Sequence, residues 1–227
     1  MAAPTPGEQD SSEMTERLAV FFDQVGAEWV LWLLMTLAVA SIAVTIERLL
    51  FLWQNRTPVG DLQLKLLKAL ERSPAEAQAL LKPYDGMEAR VVLAGLAELH
   101  RGPEAVQEVM NAVIAMEKKR YERFLIFLSS LGANAPFIGL LGTVIGILGA
   151  FANLKQQVGA GGSRQALIMG SISEALVATA VGLFVAIPAV IAYNWLRTQV
   201  KSVINNTDAL EAILMAHLKT TPAKPKD

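Results

Sequence analysis

Three stretches of the chain are apolar for long enough to cross a bilayer, and nearly all charged residues fall outside them. A spanning helix needs roughly 20 apolar residues to cover about 30 Å of hydrocarbon at about 1.5 Å per residue. The first stretch, residues 29–53, reads WVLWLLMTLAVASIAVTIERLLFLW, with tryptophan at both ends where amphipathic rings favour the interface. The second, residues 124–152, carries no charge. Its Pro136 removes one helical hydrogen bond and predicts a kink. The third, residues 168–196, is uncharged apart from Glu174. The pattern predicts an all-α integral membrane protein with three transmembrane helices.

The intervening segments give the orientation. Arg48, Arg56, Lys118, Lys119, Arg120, Arg123, Arg197 and Lys201 flank one side of the spans, which places that side in the cytoplasm. The N-terminus, residues 1–28, and the loop 153–167 are then periplasmic, and the C-terminus is cytoplasmic. The N-terminus lacks the basic and apolar regions of a cleavable signal. Met14, Leu18, Phe21, Phe22 and Val25 recur there at helical spacing, which predicts an amphipathic interfacial helix.

The insert 54–123 reads as helices punctuated by turns. Ser73, Pro74 and Glu76 form a capping box with proline at the first helical position, and Pro83-Tyr84-Asp85-Gly86 is a turn. No breaker occurs from Glu104 to Pro136, and Val106, Val109, Met110, Val113 and Ile114 form an apolar stripe. In the final segment, 197–227, Val200, Val203, Ile204, Leu210, Ile213 and Leu214 form a matching one. Two of the membrane helices are therefore expected to extend far into the cytoplasm and pack together. The ending TTPAKPKD has the composition of a disordered tail.

Composition narrows the function. The chain is 53% hydrophobic with a net charge of −1, so no basic field attracts nucleic acid. Cysteine is absent and His100 and His217 are the only histidines, which removes disulfides, thiol chemistry and nearly every zinc pattern. The spans hold neither histidine nor aspartate, so an intramembrane hydrolase lacks its parts, and no enzyme activity or cofactor is expected. GAGGSR at residues 159–164 lacks the Gly-Lys-Ser/Thr ending of a phosphate-binding loop and reads as a flexible turn.

Glu174 is the energetic anomaly. A carboxylate in hydrocarbon costs at least about 2.5 to 3.5 kcal/mol, so such a residue usually faces a cavity or a partner. Hydrocarbon favours the neutral acid, and a carboxyl there is suited to taking up and releasing a proton. The alternative is that Glu174 snorkels to the outer interface or bonds a neighbour for packing. Gly139, Gly142, Gly146 and Gly149 form a small-residue stripe on the second span, for which close helix packing is the favoured reading. Thr143 on that span and Thr179 on the third offer hydroxyls to a polar path, or bond back to their own helices. Thr179 lies about 140° around the helix from Glu174, so the two do not share a face, whereas Ser171, Ala178 and Val181 lie on the Glu174 side.

The stretches APFIGLLGTVIGILGAF (135–151) and ISEALVATAVGLFVAIPAVIAYN (172–194) resemble the core motifs of the ExbB/TolQ/MotA family of proton-channel proteins. They occur in the family's order and separation, with its three-helix topology and large cytoplasmic insert. The resemblance implies a pentamer enclosing the transmembrane helices of two copies of a single-span, ExbD/TolR-like partner that supplies an aspartate. It implies that Glu174, Thr143 and Thr179 line the ion path, that Pro136 and Pro188 shape their helices, and that protons are the coupling ion. The implied work is rotation that energises outer-membrane transport, envelope maintenance or gliding through a TonB/TolA-like or motility effector. MotA proteins carry four membrane helices and lack the glutamate of this motif, so the resemblance falls on the ExbB/TolQ branch. The bacterial inner membrane is the implied location. A structural membrane scaffold and a small-solute transporter subunit are the alternatives, although no internal repeat supports the latter.

Overall fold

The computed structural model describes residues 28–156 and 164–220, the side chains of 152–168 and of Ser171 excepted. The expected interfacial helix within 1–28, the turn at 159–164 and the tail from residue 221 lie outside the described residues or at their margin. Every regular element described is helical: α1 (Glu28–Gln54), α2 (Val59–Arg72), α3 (Pro74–Leu81), α4 (Met87–Ala97), a 3₁₀ turn (Leu99–Arg101), α5 (Pro103–Tyr121), α6 (Leu125–Gln156) and α7 (Arg164–Thr220). Three stretches of helix are long and apolar enough to cross a membrane, within Glu28–Arg72, Leu125–Phe151 and Ile172–Thr220. Helix α7 has 57 residues. At about 1.5 Å per residue it is nearly three times as long as hydrocarbon is thick, so one span continues as an extended helix.

The chain packs as two compact units, Met1–Val44 with Phe127–Ala192, and Thr45–Ile126 with Tyr193–Asp227. The first contains the apolar parts of α1, α6 and α7. Its core joins Val30 and Leu34 of α1 to Leu131, Ala135 and Ile145 of α6 and to Val185, Ala186 and Ala189 of α7. Its outer surface is also apolar, with Trp32 73% and Phe184 78% exposed. Such a surface suits lipid or a neighbouring chain rather than water. Helix α6 runs on through Pro136, as α7 does through Pro188.

The second unit folds around amphipathic helices. Helix α2 buries Val59, Leu62, Leu66 and Leu70, one side of its cylinder. The sequence-read cap forms: the Ser73 hydroxyl accepts from the Glu76 backbone N–H at 3.2 Å, with Pro74 at the first helical position. Ser73→Ala removes that acceptor and is expected to lower stability by about 1 kcal/mol, seen as a small drop in thermal midpoint. An unchanged midpoint would show the cap to be idle. Helices α4, α5 and the end of α7 meet at Gly95, where a methyl group would stand 2.7 Å from Met110 Sδ and 3.0 Å from Leu214 Cδ2. Gln107 donates to Glu211 across the same α5–α7 contact. Met110 and Leu214, one residue from each apolar stripe, thus both meet α4 at Gly95.

The helix expected without interruption from Glu104 to Pro136 is instead two helices. Helix α5 stops at Tyr121, and Phe124 takes a left-handed backbone conformation with φ 64° before α6 starts. That conformation costs a non-glycine residue about 1–2 kcal/mol and needs tertiary support. The support comes from arginine. Arg123 lies 4.5 Å and Arg48 5.7 Å from the Phe124 ring centre. Arg48 is only 4% exposed, pairs with Glu47, lies over Phe51 and donates to the Arg120 carbonyl at 3.1 Å. That carbonyl is one of the last-turn acceptors that α5 cannot satisfy itself, so a residue of α1 caps α5.

Candidate functional site

The intramembrane candidates sit around one close antiparallel contact between α6 and α7. Gly132 meets Val190, Gly139 meets Gly182 and Ala178, Gly142 meets Ala178, and Gly146 meets Ala175. A methyl on Gly139 would stand 2.7 Å from the Ala178 carbonyl oxygen and 3.0 Å from Thr179 Cα; one on Gly142 would also press on Val30 of α1 at 3.1 Å. Glycine here lets backbone approach backbone, which is how helices associate where no hydrophobic effect drives them together. Gly149 is half-buried. At Gly139, Gly142 and Gly146 the stripe meets α7 closely.

The two threonines behave differently. Thr143 is buried, and its hydroxyl donates to its own helix at the Leu140 carbonyl, 2.6 Å away. That is the back-bonding arrangement. The Thr179 hydroxyl oxygen is buried with no hydrogen-bond partner among the described residues. An unmade hydrogen bond on a buried hydroxyl costs about 1–3 kcal/mol. Thr179 lies against Gly139 and therefore at the α6–α7 seam.

Glu174 is exposed in the isolated chain, while Ala175 and Ala178 beside it are buried. The buried stripe of α7 runs through Ala175, Ala178, Val185, Ala186 and Ala189. At about 100° per residue, Glu174 falls on one edge of that stripe and Thr179 on the other. The structure therefore does not bring Glu174 into contact with either threonine within one chain. Any path joining them requires groups from elsewhere.

The insert holds a second unusual group that the sequence did not flag. Glu88, the second residue of α4, is 2% exposed, and its Oε2 has no hydrogen-bond partner among the described residues. An acid in the first turn of a helix is ordinary, so nothing local marked it. Burial pushes its carboxyl above the usual carboxylate range, with its own backbone N–H, Thr57 and Asn206 pulling weakly the other way. Burial likewise raises the Tyr121 phenol, which accepts from the Met87 backbone N–H at 3.2 Å.

Among the described residues no three histidine, cysteine or acidic side chains gather into a metal site. The chain is similar to the biopolymer transport protein ExbB of Neisseria gonorrhoeae, 47% identical over 105 residues that cover 46% of each chain. It is also similar to the Tol-Pal system protein TolQ of Pseudomonas aeruginosa, 36% identical over 61% of this chain and 65% of that one. The ExbB of Xanthomonas campestris is 35% identical over 63% of this chain and 58% of its own length. The chain thus matches between about half and two thirds of the length of these relatives. The sequence model of one family matches residues 84–209, more than half of the chain and inclusive of both glycine-rich and glutamate-bearing motifs. This three-span membrane protein belongs to the MotA/TolQ/ExbB proton channel family.

Proposed function

We propose that the chain is the channel-forming subunit of an inner-membrane motor that couples proton motive force to mechanical work. In this reading five copies enclose the transmembrane helices of two single-span, ExbD/TolR-like subunits, with the N-terminus periplasmic and the C-terminus cytoplasmic. Glu174, Thr143 and Thr179 line the path, and the partner supplies an aspartate. Each proton that passes neutralises that aspartate, which removes the cost of moving its charge past the apolar wall. Re-ionisation holds it again, and alternation between the two states turns the inner helices against the ring. The Thr143 hydroxyl proton is engaged by its own helix, but its oxygen still has a lone pair to offer. Pro136 and Pro188 shape the two helices that carry the path.

One observation carries the reading beyond family membership: the polar groups are incomplete within one chain. Thr179 has a buried hydroxyl without a partner among the described residues, and Glu174 is exposed at the edge of the buried stripe of α7. A scaffold would be expected to satisfy its polar groups internally. A single-span partner aligned with the Glu174 edge of α7 would give that carboxyl a facing group.

The composition of the complex tests this. Native mass spectrometry of the chain purified with a neighbouring single-span, aspartate-bearing protein is expected to give five copies of the chain with two of that protein. A chain that binds no such protein, or that takes up a small solute by itself in liposomes, contradicts the proposal.

A further inference from the structure

Glu88 is the one buried carboxylate among the described residues, and it lies far in sequence from the intramembrane set. It lines a cavity of about 1360 Å³ together with Trp53, Thr57, Asp61, Trp195 and Asn206. The cavity reaches Glu88, whose carboxyl is otherwise enclosed by packing.

The immediate surroundings are crowded with oxygen atoms, of which the Thr57 hydroxyl alone carries a proton. Thr57 Oγ1, the Asn55 carbonyl oxygen and Glu88 Oε2 all converge on Gly86, so closely that a methyl there would stand 2.7 Å from the carbonyl oxygen and 2.8 Å from Oε2. Neither Thr57 Oγ1 nor Glu88 Oε2 has a hydrogen-bond partner among the described residues. The Asn55 carbonyl oxygen can only accept, so it gives a buried Glu88 carboxylate nothing in return for lost hydration, which is a cost. A proton on Glu88 turns one acceptor into a donor and relieves it.

The charged groups nearby do not offer another remedy. Arg56 and Asp61 line the same cavity with opposite signs. Tyr121 of α5 feels the Glu88 charge as a push upward on its own phenol, and α7 contributes the uncharged Asn206. On α4 itself, Arg90 is engaged by Asp85 and Glu117.

We propose that Glu88 is a proton-binding site of this chain, held as the uncharged acid in the packed unit, and that its ionisation loosens the packing of residues 55–57 and of Asn206 of α7 around it. The proposal is independent of the ion-path reading, because it concerns a different unit and a different carboxyl. An acid that is easier to protonate when folded adds stability below its ordinary value of 4.5, and that stability is lost as pH rises through its folded value. The contact is thus tight at low pH and looser at high pH.

Hydrogen exchange on the full chain in nanodiscs tests this. In the wild type, amides at 55–60 and 86–92 are expected to open more readily as pH rises above about 5. The increase, beyond base catalysis of exchange itself, reaches about tenfold per pH unit across the titration. Glu88→Gln, which mimics the neutral acid, is expected to keep these amides protected at every pH. A wild-type protein whose protection there is independent of pH overturns the proposal even if the variant fails to fold, and so does a variant that retains the wild-type pH profile. Protection at fixed pH that depends on sodium or potassium, and loses that dependence in Glu88→Gln, assigns the site to a metal cation and also overturns it.

Discussion

Glu174→Gln is expected to abolish proton-dependent output while leaving the assembly intact. Glutamine has nearly the same shape as glutamic acid and keeps its hydrogen-bonding capacity, so packing along α7 is preserved. What it loses is the ability to take up and release a proton. Glu174 lies at the edge of the buried stripe of α7, and the residues that hold α7 to α6 are its neighbours Ala175 and Ala178. The exchange therefore leaves the helix contact untouched. The check is a pair of measurements on the same cells: the amount of assembled complex, expected to match the wild type, and the proton-driven output, expected to fall to background. Output at the wild-type level with normal assembly would reduce Glu174 to a packing residue.

Gly139→Leu is expected to have the largest structural effect. A β-carbon at this position runs into the Ala178 carbonyl oxygen and Thr179 Cα, which are backbone atoms of α7 and cannot rotate away. Forcing side-chain volume into a close contact costs about 1–3 kcal/mol where side chains can yield, and more where they cannot. Helices α6 and α7 must separate, which also breaks the contacts at Gly142 and Gly182 along the same seam. The protein is expected to be largely lost from the folded fraction in detergent, by size-exclusion profile and thermal midpoint. Gly60→Leu serves as a control, because a β-carbon there meets nothing within 4 Å. If Gly139→Leu behaves like that control, the α6–α7 seam is not where the bundle is held.

Much of this fold is legible in the amino-acid order because membranes impose simple rules. Span length follows from hydrocarbon thickness, and α1, with bounds Glu28–Gln54, differs by one residue at each end from the tryptophan-flanked stretch. The Ser73 cap follows from local chemistry and forms, whereas the hydrogen-bonded turn closes from Leu81 to Tyr84, ahead of the expected Pro83–Gly86. The break at Phe124 is different in kind. No glycine or proline marks it, and the residues that sustain it include Arg48, which lies 76 positions away in the sequence (124 − 48). Long-range stacking of that sort leaves no periodic trace.

The candidate site divides along the same line. Glu174 announces itself because a charge among apolar residues is anomalous wherever the helix points. The two threonines look equivalent in sequence, and only packing separates the self-bonded Thr143 from the unpartnered Thr179. Glu88 lies in an ordinary polar run, MEAR, and becomes unusual only because Thr57 and Asn206 from distant segments enclose it.

Proton flux into liposomes containing the complex of this chain with its single-span partner tests the central claim most directly. With the wild-type chain, a pH gradient is expected to drive a flux that a sodium gradient does not. In Glu174→Gln complexes that flux should be absent. Equal flux through wild-type and Glu174→Gln complexes would contradict the account.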